Sequence, residues 1–243
     1  MSDKTTSPAV APEPSDEGTE SYGNASAAGH PLKQRRIWLP LAVLFVIINL
    51  PFLHLALRGR AATTVAVPFS DDFEREPMAL GSAWKAPTGG FWRIQEGWLY
   101  SPGVKNNPLW LQAALPRDVA VAFDVRADHA SGDIKCEIFG DGRGHSTGYV
   151  LIFGGWSNTI STLARLDEHG SDRKERRDKK VEKGRTYHFR IERRGGHLEW
   201  FVDGESFLTY DDPAPLSGPG HDRFGFSSWA TDVFFDNLSI QPL

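Results

Sequence analysis

Short runs of alternating apolar and polar residues fill the chain from Val65 onward, and Gly, Asn, Asp and Pro punctuate them. In "VAVAFDVRAD", residues 119–128, every second residue is large and apolar, so one face of an extended strand is apolar. "TYHFRIER", residues 186–193, repeats the pattern. "HLEWFVDGESF", residues 197–207, predicts two strands joined by a tight Asp-Gly turn. Turn residues at intervals of roughly 8 to 12 residues are typical of an all-β sandwich.

Composition agrees with such a fold and excludes several functions. Of 243 residues, 40% are hydrophobic, and eight Trp and fifteen Phe can fill a sandwich core. The single cysteine, Cys136, excludes an internal disulfide and leaves no thiol pair for a metal or redox site. The net charge of -4 is unevenly spread and argues against a general nucleic-acid binder.

The N-terminal region has a different character. Residues 1–32 are rich in Ser, Pro, Ala, Gly and acids, which predicts a disordered tail. Ile37–Leu57 contains no Asp, Glu, Lys or Arg, and roughly 20 such residues span a bilayer. We therefore predict a transmembrane anchor with basic flanks at 33–60, a linker at 61–67 and a β-sandwich domain at 68–243. A buried core helix and a signal peptide cleaved after Ala66 are the alternatives.

Basic residues beside the apolar segment predict its orientation. Three precede it and two follow it: Lys33, Arg35 and Arg36, then Arg58 and Arg60. Positive charge resists translocation, so the tail is expected in the cytoplasm and residues 61–243 outside. The lipid bilayer is then a partner, through residues 37–57.

Four phrases together resemble a known superfamily. They are "DDFERE" at 71–76, "GGFWRIQEGWLY" at 89–100, "GRTYHFRIERRGGHLEWFVDGESF" at 184–207 and "FGFSSWATDVFFDNLSI" at 224–240. In this order they resemble the concanavalin-A-like lectin/glucanase superfamily, particularly its bacterial laminin-G-like and 3-keto-disaccharide-hydrolase-like domains. The resemblance implies a jelly roll of two antiparallel sheets whose first and last strands pair, with ligands on the concave sheet or its rim. It leaves function open, because lectins, adhesion modules and hydrolases share this fold.

Catalysis by paired carboxylates has one candidate position. The resemblance implies, for the endoglucanase branch, a Glu-x-Asp-x-Glu strand that this chain lacks. In "DIKCE", Asp133, Lys135 and Glu137 share one face of a strand. A glycoside hydrolase using Asp133 and Glu137 is an alternative, although these strand positions start about 13 Å apart and Lys135 separates them. A salt-bridged polar stripe explains the same residues.

The triplet Asp167, Glu168 and His169 precedes Gly170 where a strand should end. Asp, His and Gly are ordinary turn residues, so a turn is expected rather than a catalytic centre. A metal site from Asp167, His169 and Asp172 is conceivable, but the spacing is not diagnostic. We predict no cofactor; calcium is possible but not indicated.

Residues 171–185, "SDRKERRDKKVEKGR", hold eight basic and four acidic side chains. Mixed signs predict a solvated hairpin. The positive excess leaves electrostatic contact with anionic glycans or lipid headgroups as an alternative.

Tryptophan is the most informative residue for function. Most indoles are expected in the core, but Trp156 in "GGWSN" and Trp229 in "SSWAT" stand among small polar residues and are predicted to be exposed. An exposed indole stacks on a sugar ring, and Lys135, Glu137, Arg190 and Glu192 could add hydrogen bonds if they share the concave sheet. The prediction is a non-catalytic module that binds carbohydrate or another cell-surface ligand. The alternatives are the hydrolase and a structural module with an exposed apolar patch for a protein partner.

Overall fold

The structure is a computed structural model that describes residues 31–58, 65–77 and 79–243. The predicted tail lies outside these ranges except for residues 31–32, and so does most of the predicted linker. Contacts divide the chain into two units, Met1–Pro51 and Phe52–Leu243.

A single helix, α1, covers Pro31–Arg58 and contains Pro40 and Pro51. The large apolar side chains described between Trp38 and Leu53 are exposed. Within the described ranges, no helix combines the length and the apolar character needed to cross a membrane. The anchor predicted for Ile37–Leu57 is therefore not shown.

The rest of the described chain is almost entirely β-structure. Fifteen strands and one short helical turn follow α1 in chain order: β1 Phe69–Asp71, β2 Trp84–Lys85, β3 Arg93–Gln95, β4 Trp98–Ser101, β5 Leu109–Leu111, β6 Val119–Ala127, β7 Ile134–Gly140, β8 Tyr149–Gly154, α2 Gly155–Asn158, β9 Ile160–Arg165, β10 Lys174–Arg176, β11 Thr186–Arg194, β12 His197–Val202, β13 Glu205–Asp211, β14 Arg223–Ser228 and β15 Val233–Pro242.

These strands form two antiparallel sheets. The eight-stranded sheet has the order β13-β12-β11-β6-β15-β4-β3, with β1 paired to β15, and the seven-stranded sheet has the order β10-β9-β8-β7-β14-β5-β2. Their facing surfaces enclose one apolar core rich in Phe, in which Phe123 lies 5.1 Å from Phe226 of the opposite sheet, centroid to centroid. The two-sheet all-β prediction is confirmed.

Local patterns also gave the right strands. The alternating runs became β6 and β11, and Asp203 and Gly204, both with positive φ, make the turn between β12 and β13. Positive φ at both turn residues suits the twist of a two-residue hairpin, which is why Asp-Gly is favoured there. The first strand pairs with the last, with Phe69 opposite Ile240.

Strand β7 places polar side chains on the outer face of the seven-stranded sheet. Ile134 and Cys136 belong to the core, so Lys135 and Glu137 point the other way. Lys135 pairs with Ile152 of β8 on one side and with Ser227 of β14 on the other. Loops at this end of the sheet carry the residues that form a cleft.

Candidate ligand-binding cleft

A cleft of about 400 Å³ opens beside the outer face of the seven-stranded sheet. Strands β7 and β8 contribute its innermost residues, Lys135 and Ile152. Four connecting segments supply the rest: the loop before β7, the turn α2, the turn after β9 and the loop after β14. From these segments the lining residues are Ser131, Asp133, Trp156, Ser157, Glu168, His169, Trp229, Ala230 and Thr231.

Trp156 is held on an unusual stretch of backbone. Gly154, Trp156, Ser157 and Asn158 have φ angles of 68°, 50°, 59° and 64°, so the chain makes a short left-handed turn. Such a conformation costs roughly 1–2 kcal/mol per non-glycine residue, and it persists only where its surroundings determine it.

The side chain of Asn158 holds this turn in its left-handed conformation. Its side-chain amide donates to the carbonyl oxygens of Ala130 and Val181 at 3.0 and 2.8 Å, and its Oδ1 accepts from the Val181 N–H at 2.8 Å. The residue is buried. Asn158 thus connects the Trp156 turn to the loop that carries Asp133 and to residue 181.

The two indoles of the cleft are half-buried rather than exposed. The Trp156 ring lies 5.5 Å from the His169 ring and 5.0 Å from the Arg173 guanidinium. Trp229 has the ammonium groups of Lys105 and Lys135 at 4.8 and 5.5 Å from its centroid. Each indole therefore has a cation near its ring and some accessible surface toward the cleft.

The remaining indoles of the β-sandwich divide as expected. Trp98 is half-buried on β4 of the other sheet, and the following are buried: Trp84, Trp92, Trp110 and Trp200.

A chain of alternating charges runs from the sheet into the cleft. The Lys135 ammonium donates to Glu168 Oε2 at 2.8 Å, and the same oxygen lies 3.3 Å from His145 Nε2. The other nitrogen of His145, Nδ1, is 2.6 Å from Oε1 of Glu137. Glu137 is fully buried and its Oε2 accepts from the Ser146 N–H.

These contacts set opposite protonation preferences. Burial raises the pKa of Glu168, but hydrogen bonds and charge from His145 and Lys135 outweigh it and bring the pKa down to about 2. For His145, burial lowers the pKa, and the hydrogen bonds to Glu137 and Glu168 reverse this and raise it to about 9. Glu168 is therefore a carboxylate and His145 an imidazolium at neutral pH.

Asp133 differs from both. Burial raises its pKa to about 6, with Lys135 acting against the shift and Glu168 adding to it. Its Oδ1 is buried and has no hydrogen-bond partner, and its φ of 64° is left-handed. An acceptor left without a donor is unusual for a buried group. Because Asp133 also lines the cleft, its carboxyl group is a candidate ligand contact.

The structure brings together part of the predicted site. Trp156, Trp229, Lys135 and Asp133 line one cleft. Glu137 does not line it, because both of its oxygens are used by the loop that covers it.

Arg190 and Glu192 lie on β11 of the eight-stranded sheet, where they pair with each other. The sequence predicts a ligand-binding role for Arg190 and Glu192 only if they share a sheet with Lys135. The strand order places them in the other sheet.

The triplet after β9 is a turn, as predicted, yet part of it faces the cleft. Asp167 stabilises the turn by accepting the His169 N–H at 2.9 Å, while Glu168 and His169 line the cleft. Asp172 accepts the Tyr210 hydroxyl instead of joining them. Among the described residues, no group of three or more His, Cys, Asp or Glu is placed to hold a metal ion.

The basic segment is largely ion-paired. Arg173 and Arg177 share Glu175, Arg176 pairs with Asp178, and Arg185 pairs with Glu182. The interleaved acids satisfy these cations locally, as expected for a solvated hairpin.

Sequence reasoning missed Glu168 and His145 as site residues. The turn chemistry of "DEHG" correctly predicted a turn, but it does not reveal which side chain points inward. His145 contacts Glu137, which is eight positions earlier, and Glu168, which lies beyond strands β8 and β9 in the chain. Contacts between such separated residues depend on the tertiary structure, so local patterns do not reveal them.

Comparison with known proteins places the fold. No family model matches the chain. Among solved structures, the carbohydrate-binding module CBM66 from Bacillus subtilis superimposes with a TM-score of 0.52 at 14% identity, covering 65% of this chain and 95% of that one. The carbohydrate recognition domain of Emp47p gives a TM-score of 0.54 at 13% identity, covering 72% and 96%. These likenesses show a lectin-like β-sandwich fold.

One curated protein is similar in sequence. An extracellular exo-alpha-L-arabinofuranosidase from Streptomyces chartreusis is 24% identical over 150 residues, which are 62% of this chain. The match spans only 18% of that enzyme's length.

Proposed function

We propose that the β-sandwich binds carbohydrate in the cleft between Trp156 and Trp229. The observation that carries the proposal is the convergence of two half-buried indoles with charged hydrogen-bonding groups in one concave space. A ligand pocket typically combines apolar or aromatic walls with a few placed polar groups, and indoles offer flat faces for sugar rings.

The comparisons support the same proposal. Two structures with this fold are named for carbohydrate binding or recognition, and the enzyme similar in sequence is named for action on arabinofuranosides. Fold alone does not determine ligand, so the argument depends on the cleft.

Glycan-array binding by the full-length protein in detergent tests the proposal. Trp156→Ala and Trp229→Ala should each weaken binding at least tenfold, as expected when an aromatic anchor is lost. Trp98→Ala is the matched control, because Trp98 is also half-buried with a cation over its ring but lies in the other sheet. Equal binding by all four proteins would place the ligand elsewhere. No binding by folded wild-type protein would refute carbohydrate binding.

Glycoside hydrolysis is the second candidate, with a changed residue pair. Glu137 is too enclosed to serve, whereas Glu168 lines the cleft with Asp133. Two carboxyl groups whose environments move their pKa values apart are the usual basis for an acid and an ionised partner. Asp133 would protonate the leaving oxygen, and Glu168 would attack the anomeric carbon or activate water.

Product analysis distinguishes hydrolysis from binding. Bound oligosaccharides incubated with wild type should release new reducing ends if the chain is a hydrolase, and Asp133→Asn should abolish release. Intact oligosaccharides after prolonged incubation would leave binding as the function.

A protein-assembly role has less support. Within the described β-sandwich, the large apolar side chains that are clearly exposed are Phe91, Leu166 and Leu243, each about 40% exposed. Phe91 precedes β3 at the edge of the eight-stranded sheet, Leu166 follows β9 of the seven-stranded sheet, and Leu243 follows β15 within the eight-stranded sheet. An assembly surface requires a contiguous patch.

We also propose that Ile37–Leu57 anchors the chain in a membrane with the β-sandwich on the extracytoplasmic side. The support is the uncharged sequence of this segment and its basic flanks. Alkaline carbonate extraction of cell membranes should leave the protein in the pellet, and external protease should digest the β-sandwich in intact cells. Release into the supernatant would contradict anchoring, and full protection would contradict the orientation.

A further inference from the structure

Two carboxylate oxygens in the cleft have hydrogen-bonding capacity that the protein leaves unused. Asp133 Oδ1 is buried without a partner. Glu168 uses Oε2 for both Lys135 and His145, whereas Oε1 has the His169 ring nitrogen at 3.6 Å, beyond hydrogen-bonding distance. The carboxylate of Asp133 and Oε1 of Glu168 can therefore accept hydrogen bonds from a ligand in the cleft that both residues line.

The cationic side chains near the cleft already contact other groups of the protein. Lys135 is bound to Glu168, and His145 lies between Glu168 and Glu137. The Arg173 guanidinium donates to the backbone carbonyl of Glu168 at 2.7 Å and pairs with Glu175. Lys105 lies over the Trp229 ring. Acceptors without a protein donor thus lie in the cleft itself, while Lys135, His145 and Arg173 already pair with carboxylates. Lys105 contacts the Trp229 ring and is not part of the cleft lining.

We infer that the cleft selects an uncharged saccharide that donates one hydroxyl group to the Asp133 carboxylate and another to Glu168 Oε1. The inference rests on the proposed function and specifies its ligand class. Glu168 becomes a ligand-contact residue, and Lys135 and His145 become positioning residues that fix one of its oxygens and leave the other free.

Acidic sugars should be excluded by the same arrangement. A uronate, sialate or sulfate group would meet the Asp133 carboxylate, which has no ion-pair partner, beside the unused oxygen of Glu168, and like-charge contacts are an effective way to reject a ligand. The charged groups acting on Asp133 are Lys135 from β7 and Glu168 from the turn after β9, and these two pair with each other. His169, from the same turn, is the further titratable side chain of the lining. The ionised Asp133 carboxylate is therefore the charge in the lining without an ion-pair partner. Because the pKa of Asp133 is about 6, discrimination should weaken below that pH.

Paired ligands test the selectivity. Full-length protein is titrated at pH 7.5 with two matched pairs: xylohexaose and its glucuronic-acid-substituted form, and lactose and 3′-sialyllactose. At least one neutral member should bind, and its acidic counterpart at least tenfold more weakly. Tighter binding of an acidic sugar would overturn the inference and leave carbohydrate binding intact. Failure of the whole panel, together with a blank glycan array, would remove both.

Deoxy derivatives of the bound neutral sugar test the residues. Glu168→Gln and Asp133→Asn should each weaken binding about five- to tenfold, because a charge-assisted hydrogen bond is lost. If the substituted side chain contacts one hydroxyl group of the sugar, removing that hydroxyl group should make the wild type and the variant bind equally. A side chain with a merely structural role would weaken the binding of every deoxy sugar.

Glu192→Gln is the matched control, since Glu192 is similarly half-buried and ion-paired but lies in the other sheet. The assignment would be contradicted if both cleft variants bound every deoxy sugar about five- to tenfold more weakly than wild type. It would also be contradicted if Glu192→Gln weakened binding as much as the cleft variants do.

Discussion

The outer face of the eight-stranded sheet and the cleft of the seven-stranded sheet use the same residue types to different effect. On β11, Arg190 and Glu192 pair two positions apart on a solvated surface. In the cleft, Lys135 and Glu168 pair at 2.8 Å across 33 positions of sequence, with Lys135 almost fully buried. The first pair satisfies itself locally and signals no ligand. The second joins strand β7 to the turn after β9 and leaves one oxygen of Glu168 without a donor.

Left-handed backbone occurs in both regions, for example at Asp203 and Asn237 of the eight-stranded sheet, but it is concentrated around the cleft. Three consecutive residues of the cleft, 156–158, have left-handed φ angles, and Asp133 has one as well. Strain that is maintained by buried hydrogen bonds is characteristic of ligand sites. The comparison indicates that a ligand site is recognised by polar atoms without hydrogen-bond partners and by strained backbone held in place by buried hydrogen bonds. Charge or aromatic content alone does not identify it.

The largest predicted effect is at Asn158. Asn158→Ala removes three buried hydrogen bonds and places alanine at a left-handed φ, so the free energy of unfolding should fall by about 2–4 kcal/mol. Asn237→Ala, at an exposed left-handed position on β15, should cost about 1 kcal/mol. Urea denaturation of both variants checks the difference, and equal losses would mean that the Trp156 turn needs no special support.

His145 should come next, with a characteristic pH dependence. Its folded-state pKa is raised to about 9, so the stabilisation is fully present below its ordinary value of 6.5 and is lost as pH rises through 9. His145→Ala should lower the free energy of unfolding at pH 6.5 by about 1–2 kcal/mol after discounting for solvent screening. His188→Ala, which breaks an exposed pair with Asp124, should cost less than about 0.5 kcal/mol. A loss at His145 that persists unchanged above pH 9.5 would argue against the charge network.

Substitution of Asp133 should change the free energy of unfolding in the opposite direction to substitution of His145, although both pKa values are raised. A raised carboxyl pKa means that folding favours its protonated form, so wild-type stability falls as pH rises between 3.8 and about 6. Asp133→Asn should therefore stabilise the protein at pH 8 by about 1 kcal/mol, and asparagine tolerates the left-handed backbone. The gain should fade below pH 4. Asp211→Asn, at a carboxylate that is 83% exposed, should change stability by less than about 0.5 kcal/mol. Destabilisation by Asp133→Asn at pH 8 would show that the ionised carboxylate has a structural role.

The sequence predicted the sandwich because period-two alternation and Asp-Gly turns are local. It also placed Lys135 and Glu137 on the outer face of β7, since neighbouring strand residues point to opposite faces. It could not show that a loop covers Glu137 or that Arg190 and Glu192 lie in the other sheet, because both depend on tertiary contacts. Trp156 and Trp229 were picked from their small polar neighbours, and the same surroundings make room for the cleft.

The most direct measurement is 19F NMR of full-length protein labelled with 5-fluorotryptophan, with the eight resonances assigned by single Trp→Phe variants. Addition of a neutral oligosaccharide that binds should shift the Trp156 and Trp229 signals and leave Trp98 unchanged. A saturable shift at Trp98, with Trp156 and Trp229 unmoved, would contradict a carbohydrate-binding cleft in the seven-stranded sheet.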